Sequence, residues 1–392
     1  LDIDHFKRIN DSLGHDAGDQ LLSVLAGHIK GSVRSHADVV ARFGGDEFCI
    51  LISIHHRDEA RHLAQRIMQQ MKEPIELAGR RMVMTTSIGI SLFPDDGLTC
   101  EELLKTADLA LYQSKGSGRN VVHFFNPHLK QKASFELQLE EDLRQALQQD
   151  SGLLLYYQPI IDLRSGALHK LEALVRWRHP QRGLVGPDEF ITFSESRGLI
   201  TPIGRWVMRE ACRQLKEWQD EGLALVPVAV NVSAIEFRQR DVAGEIAAAL
   251  RDTGLAPQYL GIELTESVLM HQTGQVLDTL NALKALGVGI SIDDFGTGYS
   301  SLAYLKRYPI DSLKIDRSFV VDTPGNPDDV AIVTAVIQMA RSLQLKTVAE
   351  GVETPAQVQL LKGLGCDLIQ GHVVSVPLDA VALQRWMRDL PV

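Results

Sequence analysis

No apolar run in this sequence approaches the roughly 20 residues that span a bilayer. The best candidates, Ala331–Val336 and Leu223–Val230, are short, so no membrane segment is expected here. Cysteine is scarce: Cys49, Cys100, Cys212 and Cys366 lie far apart with no CxxC pair. That excludes a zinc knuckle and a disulfide framework, and fits free thiols in a reducing cytosol. A basic excess is also missing. The net charge of -10 argues against a protein that coats a nucleic acid polymer. A nucleotide substrate stays open, because bound divalent metals supply local positive charge. No signal peptide is expected, no segment is of low complexity, and the sequence does not open on Met. The opening Leu1-Asp2-Ile3-Asp4 reads as a strand end. The expectation is a stretch of a longer cytoplasmic polypeptide, or the cytoplasmic part of a membrane-anchored sensor.

What is present is an ordinary globular balance, 45% hydrophobic and 23% charged, over 392 residues, a natural length for two domains. Residues 1–126 mix helix and strand. Helix patterns cover Gly18–Ser32, Glu59–Met71 and Thr99–Ser114. Apolar runs at Asp38–Phe43 and Phe48–Ile54 flank Gly44-Gly45-Asp46-Glu47, a hairpin signal. Further strands are expected at Val83–Leu92 and Val121–Phe125. Residues 127–150 read as a linker helix, with Leu137, Leu143 and Leu147 on its apolar side. Residues 151–392 alternate strand and helix, with strand patterns at 153–161, 168–177, 226–232, 260–264, 288–293, 311–315, 345–350 and 367–370. Helices are expected at Ile203–Trp218, Val276–Leu286 and Val330–Leu343. This is the size and rhythm of an α/β (β/α)8 barrel. Only Arg164-Ser165-Gly166 separates the first two strands, so one barrel strand should run antiparallel.

Strand after strand of this second half ends in a polar residue. In chain order they are Glu172, Asn231, Glu263, the pair Asp293 and Asp294, Lys314, Glu350 and Gln370. A lone strand-end acid is usually a helix cap or a loop salt bridge, and Glu266 and Glu353 fit that plainer reading. A whole ring of them is different, since acids crowded at one rim repel one another without a cation. Two metal ions need a bridging carboxylate and separate ligands on each side. Asp293 is the natural bridge, with Glu172, Asn231 and Glu263 for one ion and Asp294 and Glu350 for the other. Oxygen donors without His or Cys favour Mg2+ or Mn2+ over Zn2+. Lys314 is placed to orient a water or to stabilise a phosphoryl oxygen.

Glu172-Ala173-Leu174-Val175-Arg176-Trp177 resembles the signature of the EAL family of cyclic di-GMP phosphodiesterases. The likeness runs through 150–390 and includes Gln158-Pro159, Asn231-Val232-Ser233, Glu263–Ser267, Asp293–Ser301, Leu313–Asp316, Ala349–Glu353 and Gln370-Gly371. It implies a TIM-like barrel, two divalent metals and hydrolysis of cyclic di-GMP to pGpG. By this resemblance Glu172, Asn231, Glu263, Asp293, Asp294 and Glu350 are metal ligands. Lys314 positions the attacking water, and Arg176 contacts a substrate phosphate. Gln158 and Gln370 line the substrate or water site. Glu266 holds the Asp293–Ser301 loop, and Glu353 supports the site. One departure is His372, where the family usually carries an aromatic residue, most often Tyr. None of the metal positions is lost.

In the first half, Arg42-Phe43-Gly44-Gly45-Asp46-Glu47-Phe48 resembles the GGDEF diguanylate cyclase signature. Asp2–Lys7, Ile9–Asp11, Gly14-His15, Gly18-Asp19 and Ala107–Asn120 fit the same family. The implied fold is α+β and nucleotide-cyclase-like. Asp2 and Asp46 would bind Mg2+ with GTP, and Glu47 would assist the reacting hydroxyl or the metal. Asn10 and Asp19 would recognise guanine. Gly44 and Gly45 would let the backbone approach the phosphates, which Lys7, Lys115 and Arg119 would bind. If the preceding helix continues, Lys115 and Arg119 share one helix face. The family's first helix and most of its first strand would precede Leu1. Its inhibitory Arg-x-x-Asp site is out of register at Ser35-His36-Ala37-Asp38, with Arg34 one position off. The leading expectation is therefore a phosphodiesterase with a regulatory GTP-binding domain. Cyclase activity, which needs a homodimer, and a non-catalytic cyclic di-GMP receptor are the alternatives.

Overall fold

The computed structural model describes residues 1–33, 38–269, 274–297 and 305–389. The chain forms two compact units, Leu1–Gln138 and Leu139–Val392.

In the first unit, five strands form one sheet: β1 (Asp2–Ile3), β2 (Val39–Gly44), β3 (Glu47–Leu51), β6 (Thr86–Ile90) and β7 (Val122–Phe124), in the order β2-β3-β1-β6-β7. A separate hairpin pairs β4 (Ile75–Leu77) with β5 (Arg80–Met82). The helix His15–Ser32 turns Ala17, Leu21, Leu22, Leu25 and Ile29 inward, as its helical spacing requires. Leu21, Leu22, Leu25 and Ile29 meet Ile3, Phe48, Ile67 and Met71 in one core. The helix Cys100–Gly116 starts at a capping box, Thr99 with Glu102. Two elements escape the sequence reading. The helix Phe6–Leu13 buries only Phe6 and Ile9, too few residues to register as a periodic face. The β4–β5 turn is Ala78-Gly79, with φ of 49° and 73°. That is a hairpin geometry usually announced by Asn-Gly or Asp-Gly.

The helix Pro127–Gln148 runs across the division between the units. Its buried residues are Leu139, Leu143 and Ala146, while Leu137 is exposed. The expected stripe thus needs correction at Leu137. Residues two apart on a helix point about 200° away from each other, so Leu137 and Leu139 cannot share a face.

The second unit is a closed eight-stranded barrel. Its strands are β8 (Leu153–Asp162), β9 (Leu168–His179), β11 (Val228–Val232), β12 (Leu260–Thr265), β13 (Gly289–Phe295), β14 (Ser312–Ile315), β15 (Lys346–Ala349) and β16 (Leu368–Gln370). Neighbours from β9 through β16 run parallel, whereas β8 is antiparallel to both β9 and β16 and closes the ring. The expected single antiparallel strand is thus β8. Short strands β10 (Gly183–Val185) and β17 (Leu378–Asp379) extend the edges of β9 and β8. Helices such as Ile200–Asp220, Gly274–Leu286 and Pro327–Ser342 connect the strands. The first of these buries Ile203, Val207, Ala211, Leu215 and Trp218, whereas Trp206 is half-buried and donates its indole N–H to Asp150 at 2.7 Å. No helix among the described residues is long and apolar enough to cross a membrane.

Candidate active site at the barrel rim

Lys314, in β14, is wholly buried. Its Nζ lies 2.6 Å from Glu263 Oε2, 2.6 Å from Glu350 Oε1, 3.1 Å from Glu172 Oε2 and 3.2 Å from Asp293 Oδ1. Each acid comes from a different strand: Glu172 from β9, Glu263 from β12, Asp293 from β13, and Glu350 from the residue after β15. The register of the barrel strands sets this convergence. Asn231 pairs with Glu263, and Gln158 of β8 pairs with Glu172. Three groups donate to the Glu172 carboxylate: Lys314, Asn231 Nδ2 at 2.7 Å and Gln370 Nε2 at 2.6 Å. Gln370 Nε2 also donates to Gln158 Oε1 at 2.9 Å. The chain passes very close to itself after Gln370: a Cβ on Gly371 would stand 2.1 Å from Val352 O.

Adjacent strand residues normally point to opposite faces, yet Asp293 and Asp294 both reach the site. Asp294 has a φ of 53° and the β13–β14 register shifts between Ile292 and Phe295. A left-handed residue at this break turns the second carboxylate back toward the first. Asp tolerates that conformation better than most side chains, at a cost of about 1–2 kcal/mol. Two groups of acids result, Glu172–Glu263–Asp293 and Asp293–Asp294–Glu350, in each of which ligand oxygens lie within 4.8 Å of one another. Asp293 belongs to both.

Charge shows that divalent cations fit here. Lys170 Nζ is the second ammonium, 2.9 Å from Glu263 Oε1. Five carboxylates (Glu172, Glu263, Asp293, Asp294 and Glu350) thus face two lysines, a formal excess of three acids. The carboxyls register the strain. Burial, joined by neighbouring acids and only partly offset by Lys314, pushes Asp293 up to about 6 and Glu350 well above the usual carboxylate range. Burial and the nearby Asp316 raise Asp294. Glu263 moves the other way, to about 2: burial opposes its charge, but Lys170 and Lys314 outweigh burial. Burial also opposes the charge of Lys314, and its four carboxylates hold its pKa well above the ordinary lysine value nonetheless. The donors are all oxygens, the set that hard divalent cations take.

The remaining sequence candidates sit around this cluster. Arg176 is half-buried, donates to Val175 O and lies over the Tyr156 ring at 5.7 Å; burial lowers its pKa. Glu266 is buried and accepts from Gly296 N at 3.0 Å, anchoring the start of the loop after β13. Residues 298–301 of that loop lie outside the described residues. Glu353 is not joined to the acid cluster; it forms an exposed ion pair with Arg317 at 2.8 Å. His372 is exposed. Lys170 was not a sequence candidate. Its signal was its place two residues before Glu172, which sets it on the same face of β9.

In the first unit, Asp2 pairs in register with Glu47 and forms an ion pair with Lys115 at 2.7 Å. Burial raises the Asp2 carboxyl, and Lys115 opposes the rise. The turn at Gly44 and Gly45, which leads into Asp46, is pinned by Arg42, whose guanidinium donates twice to Gly45 O at 2.9 and 2.7 Å. Asn10 Oδ1 is buried without a hydrogen-bond partner. Gly18 makes room for it, since a Cβ there would lie 1.9 Å from that oxygen. Lys7 and Asp19 are exposed. One expectation is corrected: the helix stops at Gly116, and Arg119 follows with a φ of 64°, so Lys115 and Arg119 do not share a helix face. Gly118, at a φ of 100°, ends any continuation. A residue the sequence reading passed over, Asp4, is buried and accepts from Ser87 Oγ, Thr85 Oγ1 and Asn120 N. Among the described residues, both three-acid groupings lie in the barrel. Of the out-of-register Arg-x-x-Asp segment, residues 34–37 lie outside the described residues.

Comparison with known proteins agrees with this division. A family model described as EAL domain matches residues 140–377, and one described as diguanylate cyclase, GGDEF domain, matches residues 1–121. Over 99% of this chain there is 53% identity to the cyclic di-GMP phosphodiesterase NbdA of Pseudomonas aeruginosa, of which 49% is covered. The bifunctional diguanylate cyclase/cyclic di-GMP phosphodiesterase MucR of the same species is 45% identical over 98% of this chain and 56% of its own length. The chain spans about half the length of these curated relatives. A solved structure, the PaMucR phosphodiesterase in complex with c-di-GMP, is 48% identical, with a TM-score of 0.60 over 63% of this chain and 99% of that one.

Proposed function

The chain belongs to the EAL domain family, and from that premise we propose that its barrel is a metal-dependent phosphodiesterase that hydrolyses cyclic di-GMP to pGpG. One observation carries this reading: two three-acid groupings share Asp293 around a buried lysine. Glu172, Asn231, Glu263 and Asp293 would hold one Mg2+ or Mn2+, and Asp293, Asp294 and Glu350 the other. Bound, the pair supplies Lewis-acid activation of water and charge for the phosphoryl oxygens.

The protein's own groups do the rest. Lys314 Nζ is a donor held between Glu263, Glu350, Glu172 and Asp293, so it can orient the attacking water without swinging away. Asp293 and Glu350 act both as ligands and as acceptors facing that ammonium. Gln370 and Gln158 form one hydrogen-bonded chain to Glu172 and line the substrate side. Arg176 has a guanidinium to offer a phosphate. Glu266 keeps the loop after β13 in shape through Gly296, and Glu353 buttresses the rim through Arg317.

The first unit, on this reading, binds GTP with Mg2+ through Asp2, Asp46 and Glu47, with Lys7, Lys115, Arg119 and the Gly44-Gly45 turn at the phosphates and Asn10 and Asp19 at guanine. It regulates the barrel or, in a longer homodimeric protein, acts as a diguanylate cyclase. The similarity to a bifunctional relative supports keeping that second activity in view. Incubation with cyclic di-GMP and Mg2+ or Mn2+ should yield pGpG, and Glu172→Ala should abolish turnover. Absence of product with either metal would sink the proposal.

A further inference from the structure

The barrel lumen holds a second buried lysine, below the cluster built around Lys314. Lys170 is 9% exposed. Its Nζ donates to Glu263 Oε1 at 2.9 Å and to Ser291 Oγ at 3.1 Å. Ser291 Oγ is in turn 2.8 Å from Ser312 Oγ on the next strand. The side chain has to cross from β9 to β12 and β13 to make these bonds. Room for the crossing comes from the strands it passes. The residues in register with Glu172 are Ala229 on β11 and then Gly261 on β12, neither with a side chain beyond Cβ.

The two oxygens of Glu263 therefore have different neighbours. Oε1 is held from below by Lys170; Oε2 faces Lys314 and the other acids, 2.6 Å from the Lys314 ammonium. Charge-assisted bonds of this kind, made in a buried site, are among the stronger ones. Oε2 is the oxygen that faces the other acids, so a metal held among them meets it first, and ligation through both oxygens would have to compete with the Lys170 bond to Oε1. Mg2+ and small divalent ions of its kind accept ligation through one oxygen, because they want near-octahedral geometry from single oxygens; Ca2+ favours six to eight ligands and often takes a carboxylate by both oxygens.

Resting on the metal-site reading above, we propose that Lys170 is a positioning residue that sets metal selectivity: by locking Glu263 Oε1 it limits Glu263 to one-oxygen ligation and disfavours Ca2+ relative to Mn2+ and Mg2+. The lysine touches no substrate and no reacting atom. It acts through Glu263 alone.

The test is binding of the metals themselves to the whole chain, by isothermal titration calorimetry with Mn2+ and with Ca2+, on wild type and on Lys170→Met. Met keeps length and apolar bulk and removes the donor. The ratio of Ca2+ affinity to Mn2+ affinity should rise at least about tenfold in the variant, which corresponds to about 1.4 kcal/mol. Lys170→Arg, which retains donors for Oε1, should keep the ratio within about threefold of wild type. An unchanged ratio in Lys170→Met overturns the role of Lys170 while leaving the metal site intact. No Mn2+ binding by wild type would instead overturn the metal-site reading itself. Should Lys170→Met not fold, a crystal structure of the wild-type chain with Mn2+ decides. Glu263 bound through Oε2 alone, with Oε1 on Lys170, upholds the proposal; Glu263 bound through both oxygens refutes it.

Discussion

Lys314→Met removes the ammonium that four buried carboxylates share. Met fills nearly the same volume, so the cavity term is small and charge dominates. Deleting one partner of a buried ion pair costs about 3–5 kcal/mol. A lysine serving four acids belongs at the upper end of that range. For a unit of this size each kcal/mol moves the melting temperature by about 2–4 °C, so at about 5 kcal/mol a fall of about 10–20 °C is expected in chelator. Adding Mn2+ should restore part of the lost stability, since metal at about 100 times its Kd contributes about 2.7 kcal/mol to any protein that binds it only when folded. The variant should gain at least as much from Mn2+ as wild type, because it keeps every acid and loses a competing cation. Turnover should not return: loss of an aligned donor at the reacting centre costs about 10²–10³ in kcat. Scanning calorimetry of the whole chain with EDTA and then Mn2+, followed by a pGpG assay, measures all three quantities. A variant as stable as wild type in EDTA would refute the idea that Lys314 is the internal counter-charge of the ring.

Two glycines give sharper tests of geometry. Gly371→Ala places a Cβ 2.1 Å from Val352 O and must displace Gln370 from Glu172; misplacement of this order costs about 10²-fold in turnover. Gly363→Ala, whose Cβ meets nothing within 4 Å, is the control and should leave turnover unchanged. In the first unit, Gly18→Ala sets a Cβ 1.9 Å from Asn10 Oδ1. Titration with a fluorescent GTP analogue should show binding weakened about tenfold, the worth of one good hydrogen bond, and undiminished affinity would remove Asn10 from guanine recognition. Gly27→Ala, with open space around it, should bind as wild type does.

The barrel was legible in the sequence because its strands are short, apolar and regularly spaced. All eight appear within two residues of their expected limits, and the hairpin at Arg164-Ser165-Gly166 correctly announced β8 as the antiparallel strand. Glu172 falls in the middle of β9, which runs on to His179, but most of the ring's polar residues stand within two residues of the end of a recognisable strand, and the ring was legible for the same reason. Local conformation was not. That Asp293 and Asp294 converge depends on a φ of 53° at Asp294, and no spacing rule encodes that. Nor does a pattern of two units reveal where a helix ends, as Arg119 demonstrates by leaving the helix that carries Lys115. Lys170 was hidden for another reason. A lysine in a strand reads as an exposed edge residue, and only the barrel's closure turns this one inward to Glu263.

The two buried lysines explain why the acids can be gathered at all and why they are not fully neutralised. Five carboxylates without any counter-charge would hold protons or force the barrel open. Five carboxylates matched by five cations would have no reason to bind metal. Two ammonium groups lie between these limits: Lys170 and Lys314 hold Glu263 ionised, near 2, while burial leaves Asp293 near 6 and raises Glu350 well above the usual carboxylate range. The charge is therefore uneven across the ring, best compensated at β12 and least compensated at β13 and β15. A phosphodiester, itself negative, would meet a ring with three more acids than lysines before any cation entered. On the proposed reading the metal ions must therefore bind before the substrate, and the least compensated acids, Asp293, Asp294 and Glu350, are where the electrostatic demand for the second cation is greatest.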